Sequence, residues 1–598
     1  FVGTIEETLQ SLVKNGIDKK ALMAGENFYE FRYREADFGS YPKGLMYGLQ
    51  ALDSWLYDER HPFIHIEATE TFARMKEKIQ TGYFETLVEK YLLLNQHKSI
   101  IMVSPEKNLA AQKEKELQDK LNQYKTSLSK TEIAGIIEQT QSLIAYQEEP
   151  TSDEILRMIP LLEREDIEKE AAPYQNRETF IEETLVLRHD IHTNGIGYLR
   201  LLFDMRKIDR ELLPYVGLLK SVLGYVDTQN YKYGDLFNEI NIYTGGIGTQ
   251  AVTYVNSKDL SQYRFLFEFK ISVLFENMNK AFELLEEILF TSKLEDAGRL
   301  AEIVSEQKSR LQADMTSAGH SIAAMHAMAY FSETASIAEE LKGIPYYRLL
   351  EKIESDFAGQ KEQLIESLRR LMKIIFRPEN LMVDFTADQE QEEGMKELIL
   401  HLKNRLNREF VPSNPFKIDL EMKNEGFTNS SKVLYVCRAG NFKSHNLDYV
   451  GSLRVLRVIM GYDYLWNQVR VKGGAYGCMS NFSKTGDCYF VSYRDPNLEK
   501  TIQTYESATT YLENFEADER TMTKYIIGTI SDLDIPLNPS AKGSRSLSAY
   551  LSNVEFEEIQ QERDEILRTD AENIRGLAEY VRAFMETGAI CVVGNEGQ

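Results

Sequence analysis

Arg470 and Tyr476 are the two side chains of this sequence best equipped for chemistry at a carbonyl group. They lie six residues apart in LWNQVRVKGGAYG, which spans residues 465–477. An arginine offers a planar fork of donors that stays charged. A tyrosine hydroxyl can donate to a developing oxyanion, which is worth about 2.7–4 kcal/mol in well-placed cases. An arginine and a tyrosine near a turn are also a common surface pair, so the residues alone leave both interpretations open.

The glycine pair between them, Gly473 and Gly474, would set their geometry. Arg470 would leave the end of a helix, and the glycines would fold the chain so that Tyr476 returns near it. Glycine in such a place lets another backbone approach closely, and we predict that Gly473 and Gly474 contact a bound substrate. The pair lies between a helix and a strand and not at a helix N-terminus, so the geometry that binds phosphate is absent.

A second copy of this segment lies earlier in the chain, where residues 236–248 read LFNEINIYTGGIG. With one inserted residue in the earlier copy, the two glycine pairs align. Each copy follows a helical stretch and precedes an alternating strand and an amphipathic helix, and a repeat of this size indicates two homologous domains. The earlier copy has Asn241 and an Ile-Gly pair where the later one has Arg470 and Tyr476. We therefore expect one copy to do site chemistry and the other to be architectural.

Strand and helix patterns interleave along the chain, and the strands alternate apolar and polar residues, as in a mainly antiparallel sheet with one solvated face. The predicted fold class is α+β, with helices on one side of each sheet. Apolar runs at 100–103, 381–385 and 590–593 are predicted to be the last strands of three domains. The predicted division is the rear of one domain at 1–103, a helical hairpin linker at 104–172, and two α/β sandwich domains at 173–415 and 416–598.

The linker prediction rests on helix signals. Ser129-x-x-Glu132 is a capping-box signature, and it precedes apolar residues with helical spacing at Ile133, Ile136, Ile137, Leu143 and Ile144. Thr151-x-x-Glu154 is predicted to cap a third, shorter helix in the same way. A disordered charged linker is the alternative that this regular spacing disfavours.

Composition narrows the class of protein. The 598 residues are 43% hydrophobic and 27% charged, which is typical of a globular protein. A net charge of −24 argues against nucleic acid as a partner and favours cationic partners, with solubility alone as the alternative. No apolar run of about 18 residues is present, so we expect no membrane span. The sequence starts FVGTIEETLQ, without Met or a signal peptide, so we expect a fragment or a processed product.

The sequence carries no motif for metal or nucleophilic catalysis. None of the nine histidines lies in H-E-x-x-H or H-x-x-E-H, the helical spacings that bring two imidazoles and a carboxylate to one zinc ion. The nucleophile elbow G-x-S-x-G and the phosphate loop are also absent. The four cysteines lack C-x-x-C spacing, which predicts free thiols in a reducing compartment. That compartment would be the cytoplasm, with an organelle matrix as the alternative.

Four segments together resemble the pitrilysin-type (inverzincin) zinc metallopeptidases, and the presequence protease and falcilysin branch fits best. They are YLWNQVRVKGGAYG (464–477), TNGIGYL (193–199), EFRYREADFGSYPKGL (30–45) and LLEREDIEKE (161–170). The resemblance implies four homologous α+β domains in two halves that enclose a chamber. Zinc and its H-x-x-E-H helix would belong to a first domain that this sequence does not contain, so this chain would bind no zinc and would be inactive alone.

The resemblance also implies roles and partners. Tyr476 would stabilise the tetrahedral intermediate, and Arg470 would hold the substrate backbone or a carboxylate. The substrates would be unstructured peptides, many of them basic, and the other partner would be the missing N-terminal half. Two alternatives stay open, which are a stand-alone zinc-less partner subunit and a peptide-binding module without catalysis.

Overall fold

The computed structural model describes residues 1–149, 151–160, 162–388, 394–414 and 416–594. The chain divides into two compact units, a smaller one of Phe1–Gly16 and Phe84–Asp166 and a larger one of Ile17–Tyr83 and Ile167–Gln598. The helices of the first 166 residues are α1 (Val2–Asn15), α2 (Lys19–Glu35), α3 (Lys43–Trp55), α4 (Thr69–Lys78), α5 (Tyr83–Val88), α6 (Leu109–Ser127), α7 (Lys130–Glu148) and α8 (Asp153–Met158).

Helices α6 and α7 of the smaller unit occupy the segment that was predicted as a hairpin. The capping box is present, because the Ser129 hydroxyl accepts from the Glu132 amide at 3.3 Å and the Glu132 carboxylate accepts from the Ser129 amide at 2.7 Å. The apolar side of α7 is not buried, and Ile137 and Leu143 are 52% and 55% exposed. Helix α8 has Ser152 as its N-cap, so the predicted cap at Thr151 is wrong by one residue.

Ile100–Val103 does not form the predicted closing strand. These residues have no regular structure and are highly exposed, up to 90% at Val103. A strand is stable only when a neighbour satisfies its backbone groups. All strands in the described ranges lie between Arg177 and Gly594 and pair among themselves. An apolar run without a pairing partner therefore stays irregular.

The first sheet of the larger unit has six strands in the order β1-β2-β6-β3-β5-β4. They are β1 (Arg177–Ile181), β2 (Thr184–Asp190), β3 (Ile196–Asp204), β4 (Gly246–Val255), β5 (Tyr263–Leu274) and β6 (Leu381–Ala387). The helices of this first copy are α9 (Leu213–Val222), α10 (Tyr233–Tyr243), α11 (Met278–Thr291), α12 (Ala297–Ser317), α13 (Gly319–Ala329), α14 (Glu333–Lys342), α15 (Ile344–Ser355), α16 (Phe357–Ile375) and α17 (Met395–Arg405).

The second sheet has five strands in the order β7-β11-β8-β10-β9. They are β7 (Asn424–Thr428), β8 (Tyr435–Asn441), β9 (Gly477–Phe482), β10 (Asp487–Tyr493) and β11 (Ala589–Gly594). The helices of this second copy are α18 (Ser452–Ile459), α19 (Glu499–Glu506), α20 (Ala508–Glu513), α21 (Glu519–Leu533), α22 (Pro539–Leu551), α23 (Phe556–Arg568), α24 (Ala571–Gly576) and α25 (Ala578–Thr587).

The two sheets share one topology. Strands β2 to β6 in chain order occupy the same places in the first sheet as β7 to β11 do in the second. Each sheet has one parallel pair, β2 with β6 and β7 with β11, and its other pairs are antiparallel. The predicted fold class, with two homologous and mainly antiparallel α+β domains, is confirmed. The exact division of the chain into four parts stays a prediction.

Each sheet also has a second helical cover, which the sequence did not predict. The helices of each copy pack on one face of its own sheet, and the opposite face receives one helix from the other copy. Helix α13 packs on β8, β10 and β11 of the second sheet, and α22 packs on β2, β4 and β6 of the first. Both contacts are close, because a Cβ atom at Gly319 would overlap the ring of Tyr435 and one at Gly543 would overlap the hydroxyl of Thr386. The two copies are therefore joined by a reciprocal exchange of helices.

Candidate functional site

Arg470 lies in the last turn of a wide helical segment. The chain forms π-helical turns at Met460–Tyr464 and Trp466–Val471, and such turns are frequent at functional sites. The winding places the Arg470 guanidinium 3.8 Å from the ring centroid of Trp466. A cation over an indole face is attracted by about 0.5–2 kcal/mol, depending on how far the pair is removed from water. The stack therefore favours one orientation of the arginine.

The glycine pair closes a tight turn directly after this segment. The Gly474 amide donates to the Arg470 carbonyl at 2.8 Å, and Gly474 has a φ of +82°, a conformation that favours glycine. At Gly473 a Cβ atom would overlap the Val469 carbonyl oxygen. The Gly473 carbonyl accepts from the side chain of Asn497 at 2.6 Å. The turn is thus fixed by backbone contacts on one side and by Asn497 on the other.

Tyr476 leaves this turn at the start of β9, and the structure brings it close to Arg470. The Tyr476 amide donates to the Tyr493 carbonyl at 3.0 Å, and the two rings meet edge to face with centroids 5.8 Å apart. The Arg470 guanidinium carbon lies 5.8 Å from the centroid of the Tyr476 ring. The Tyr476 side chain is 66% exposed. Arg470, Trp466 and Tyr476 therefore form one accessible group on the surface of the second copy.

Buried acids hold the loops beneath this group. Asp495 is fully buried, and it accepts from the Asn497 amide at 2.9 Å and from the Thr501 hydroxyl at 2.7 Å. Asp463 accepts from the hydroxyl groups of Tyr511 and Tyr525, each at 3.1 Å. Burial, followed by the negative charge of Asp463, raises the pKa of both phenols above their usual range. These phenols stay protonated and donate to Asp463, which keeps the wide helical segment in place.

The corresponding loop of the first copy is covered. Gly245 lies against the ring of Phe31, so closely that a Cβ atom there would overlap the ring. Phe31 belongs to α2, which packs along α10, and Lys20 of the same helix forms an ion pair of 2.8 Å with Glu239. An aromatic ring, and not the backbone that the glycines were expected to admit, makes the close approach in this copy. One copy of the loop is therefore closed by a helix, while the other is exposed.

The thiols near the site are not poised for reaction. Burial raises the pKa of Cys478, on β9, to about 12, and the positive charge of Arg470 opposes this shift. Cys437, Cys478, Cys488 and Cys591 are all buried and free. The prediction of free thiols is confirmed.

No group of three or more His, Cys, Asp or Glu side chains within the described ranges is placed to hold a metal ion. In the same ranges, no helix is long and apolar enough to cross a membrane.

Sequence reasoning named Arg470, Gly473, Gly474 and Tyr476 but missed Trp466. The signal was an aromatic residue four positions before the arginine on a helical segment, a spacing that brings side chains together. The supporting role of Asn497 carried no sequence signal, because its contact with the glycine turn arises only when β10 brings the following loop back.

Comparisons with known proteins place this arrangement in a family. Residues 103–353 match the family described as associated with the peptidases of family M16, subfamily C, and residues 424–596 match the one described as PreP C-terminal domain. The chain is 40% identical to Protein HypA of Clostridium perfringens over 596 residues, which cover 100% of this chain and 61% of that protein. It is 32% identical to presequence protease 1, chloroplastic/mitochondrial, of Arabidopsis thaliana over 608 residues, which cover 99% of this chain and 55% of that protein.

Solved structures show the same fold. A conserved protein from Enterococcus faecalis V583 superposes with a TM-score of 0.52 at 15% identity, covering 71% of this chain and 99% of that one. The chain thus spans little more than half of the length of the curated relatives described above.

Proposed function

Because this chain belongs to the presequence protease branch of the pitrilysin-type M16 peptidases, of which it is the C-terminal part, we propose that it is one half of a peptide-degrading zinc metallopeptidase. The observation that carries the proposal is the accessible group of Arg470, Trp466 and Tyr476 on the second copy. In the first copy the equivalent loop is covered by α2 and lacks both polar side chains. A loop that is equipped and left open in only one copy is suited to face a substrate.

Tyr476 would act on the reacting carbonyl group. Its hydroxyl would donate a hydrogen bond to the oxyanion that forms when the peptide carbonyl is attacked. Such a donor is most effective when it is already in position, because no reorganisation is then needed in the transition state. The hydrogen bond of the Tyr476 amide to Tyr493 and the contact between the two rings fix the start of β9 and so support this placement.

Arg470 would bind the peptide next to the reacting bond. Its planar fork of donors matches a backbone carbonyl or a carboxylate. The stack on Trp466 at 3.8 Å leaves the edge of the guanidinium free to donate while its face is held. Gly473 and Gly474 would allow the substrate backbone to approach the turn without a side chain in the way.

The residues of this chain do not fit a zinc site, since the described ranges hold no suitable cluster. The proposal therefore assigns the zinc ligands to the N-terminal half of the protein and gives no residue of this chain a role in holding the metal. The zinc ion would supply the activated water, and this chain would supply only the groups that bind and stabilise.

The substrates would be unstructured peptides, since a peptide in extended form can add to the edge of a sheet. Strand β9 is the edge strand of the second sheet and begins directly after Tyr476. A net charge of −24 would favour basic peptides at low ionic strength. We expect added salt to raise KM more for a cationic peptide than for a neutral peptide of equal length, measured with the protein that includes its N-terminal half. Equal effects on both would contradict the preference.

The decisive experiment compares Tyr476→Phe with a matched control in that same protein. We expect Tyr476→Phe to lower kcat for a peptide substrate by roughly 10²-fold, because one oxyanion donor is lost. Tyr462→Phe removes the hydroxyl of a tyrosine on the same segment that is 76% exposed, and it should leave kcat unchanged. Unchanged turnover in Tyr476→Phe would remove this residue from the mechanism. Peptide binding without cleavage in the wild type would instead favour a binding module or a zinc-less partner subunit.

A further inference from the structure

A cavity of about 730 Å³ lies between the two copies and shares no lining residue with the group around Arg470. The first copy contributes the end of β4 and the turn after it, and the segment before β1 contributes Ala171, Ala172 and Tyr174. The second copy contributes Arg454, Lys484 and parts of α22 and α23. A cavity of this size can hold a small organic molecule.

The inner wall is built around Glu562, which is buried and bound on three sides. It accepts from Lys484 at 2.7 Å, from the hydroxyl of Tyr449 at 2.7 Å, and from Arg454. Burial raises the pKa of this carboxyl, but the positive charges of Arg454 and Lys484 outweigh the burial and lower it overall. Glu562 is therefore ionised and offsets only one of the two cations that contact it.

Arg545 of α22 adds a third cation to the same wall. Its guanidinium lies 5.3 Å from the ring centroid of Tyr174, and it donates to the Ala172 carbonyl at 3.5 Å. Within the described ranges no carboxylate lies at ion-pair distance from Arg545. Tyr174 senses the whole group, since burial raises its pKa while Arg545 and Arg454 lower it and Glu562 raises it.

The charges of the cavity do not cancel. Arg563 is neutralised by Asp534 through two hydrogen bonds of 2.8 Å each. Arg454, Lys484 and Arg545 then face Glu562 alone, which leaves an excess of two positive charges, and the exposed Asp532 reduces the total to one. A local positive excess is unexpected in a chain of net charge −24. The rest of the wall is apolar and includes Leu260, Leu537, Val554 and Ile559.

We propose that this cavity binds a phosphate monoester that carries an apolar body. A phosphate dianion would neutralise the excess of two charges, and a guanidinium binds phosphate oxygens with paired hydrogen bonds. The apolar wall would bury the remainder of the ligand, at about 25 cal/mol per Å² of apolar surface. A ligand in this place contacts both copies, so it would also stabilise their packing and raise the Tm of the chain.

The test uses 1-naphthyl phosphate as the probe and the 598-residue chain as the protein, with isothermal titration calorimetry as the measurement. We expect saturable binding with one site per chain and a Kd that rises with salt. 1-Naphthol, which lacks the phosphate, should bind at least tenfold more weakly. Naphthalene-1-carboxylate, with one negative charge, should bind with intermediate affinity.

Two variants locate the site. Arg545→Gln should weaken the binding of 1-naphthyl phosphate by about tenfold or more, which is what the loss of one charged hydrogen bond predicts. The matched control is Lys542→Gln, on the same helix but exposed and outside the cavity, and it should leave Kd unchanged. Lys484→Gln serves as a second variant, in case Arg545→Gln lowers the Tm of the free chain.

Three results would overturn the proposal. These are no saturable binding to the wild type, equal affinity for the phosphate and for 1-naphthol, and equal weakening in Lys542→Gln. A carboxylate that binds more tightly than the phosphate would show an anion site of a different class and would also reject it.

Discussion

Removal of the Trp466 ring should weaken catalysis only through Arg470. The guanidinium lies 3.8 Å from the centroid of the indole, which is 36% exposed. For such a partly exposed pair the attraction is about 1 kcal/mol, with about 2 kcal/mol as an upper bound. In terms of rate, these energies correspond to losses of about fivefold and about thirtyfold. We therefore expect Trp466→Ala to lower kcat/KM for a peptide by a factor in this range.

The assay is the cleavage of a quenched fluorescent peptide by the protein with its N-terminal half. Trp466→Phe keeps an aromatic face beneath the guanidinium and should lose less than half of the free energy that Trp466→Ala loses. Phe237→Ala changes the corresponding position of the first copy, where the side chain is 54% exposed. It should have no effect on kcat/KM.

A double-mutant cycle decides whether the reasoning is correct. If Trp466 acts by orienting Arg470, Trp466→Ala should cost almost nothing further in a protein that already carries Arg470→Gln. The same fivefold loss in that background would refute the orienting role, because the indole would then act on the substrate or on the fold by itself.

Two further predictions concern the contacts between the copies. Gly543→Ala should lower the free energy of unfolding by about 1–3 kcal/mol, since the new methyl group would overlap Thr386, and denaturant unfolding would detect the change. His326 hydrogen-bonds Glu339 at 2.7 Å and Glu425 at 3.1 Å. Burial lowers its pKa, but the two carboxylates outweigh the burial and raise the pKa above 6.5. This contribution to stability is full below that value and is lost as the pH rises above it, so Tm of His326→Gln should depend less on pH from 6.5 upward.

The sequence predicts elements whose periodicity is strong. Helix α21 has the predicted bounds of 519–533, and the strands β3, β5 and β10 lie within one residue of their predicted bounds at either end. Strands β1 and β7 were not predicted. Strand β7 lies at the end of the second sheet and pairs with β11, a partner more than 150 residues away in the sequence, so no local pattern marks it.

Helix α22 was missed for a different reason. Its sequence, PSAKGSRSLSAYL, is rich in small and polar residues and shows no wide apolar face. Those small residues are what the contact needs, because Gly543 and Ser546 lie buried where the helix approaches the first sheet. A helix that packs by close approach lacks the large apolar residues from which helices are usually predicted.

The two glycine loops show why a repeat in sequence did not reveal which contacts each copy makes. Both copies keep the pair, yet Gly245 makes room for the Phe31 ring, while Gly473 and Gly474 allow the turn between Arg470 and Tyr476. An alanine at Gly245 would therefore displace α2 from the first copy and leave the second unaffected. The same substitution at Gly474, where φ is +82°, would strain the turn and move the tyrosine relative to the arginine. One motif thus supports packing in one copy and site geometry in the other, and the element that covers the loop decides which.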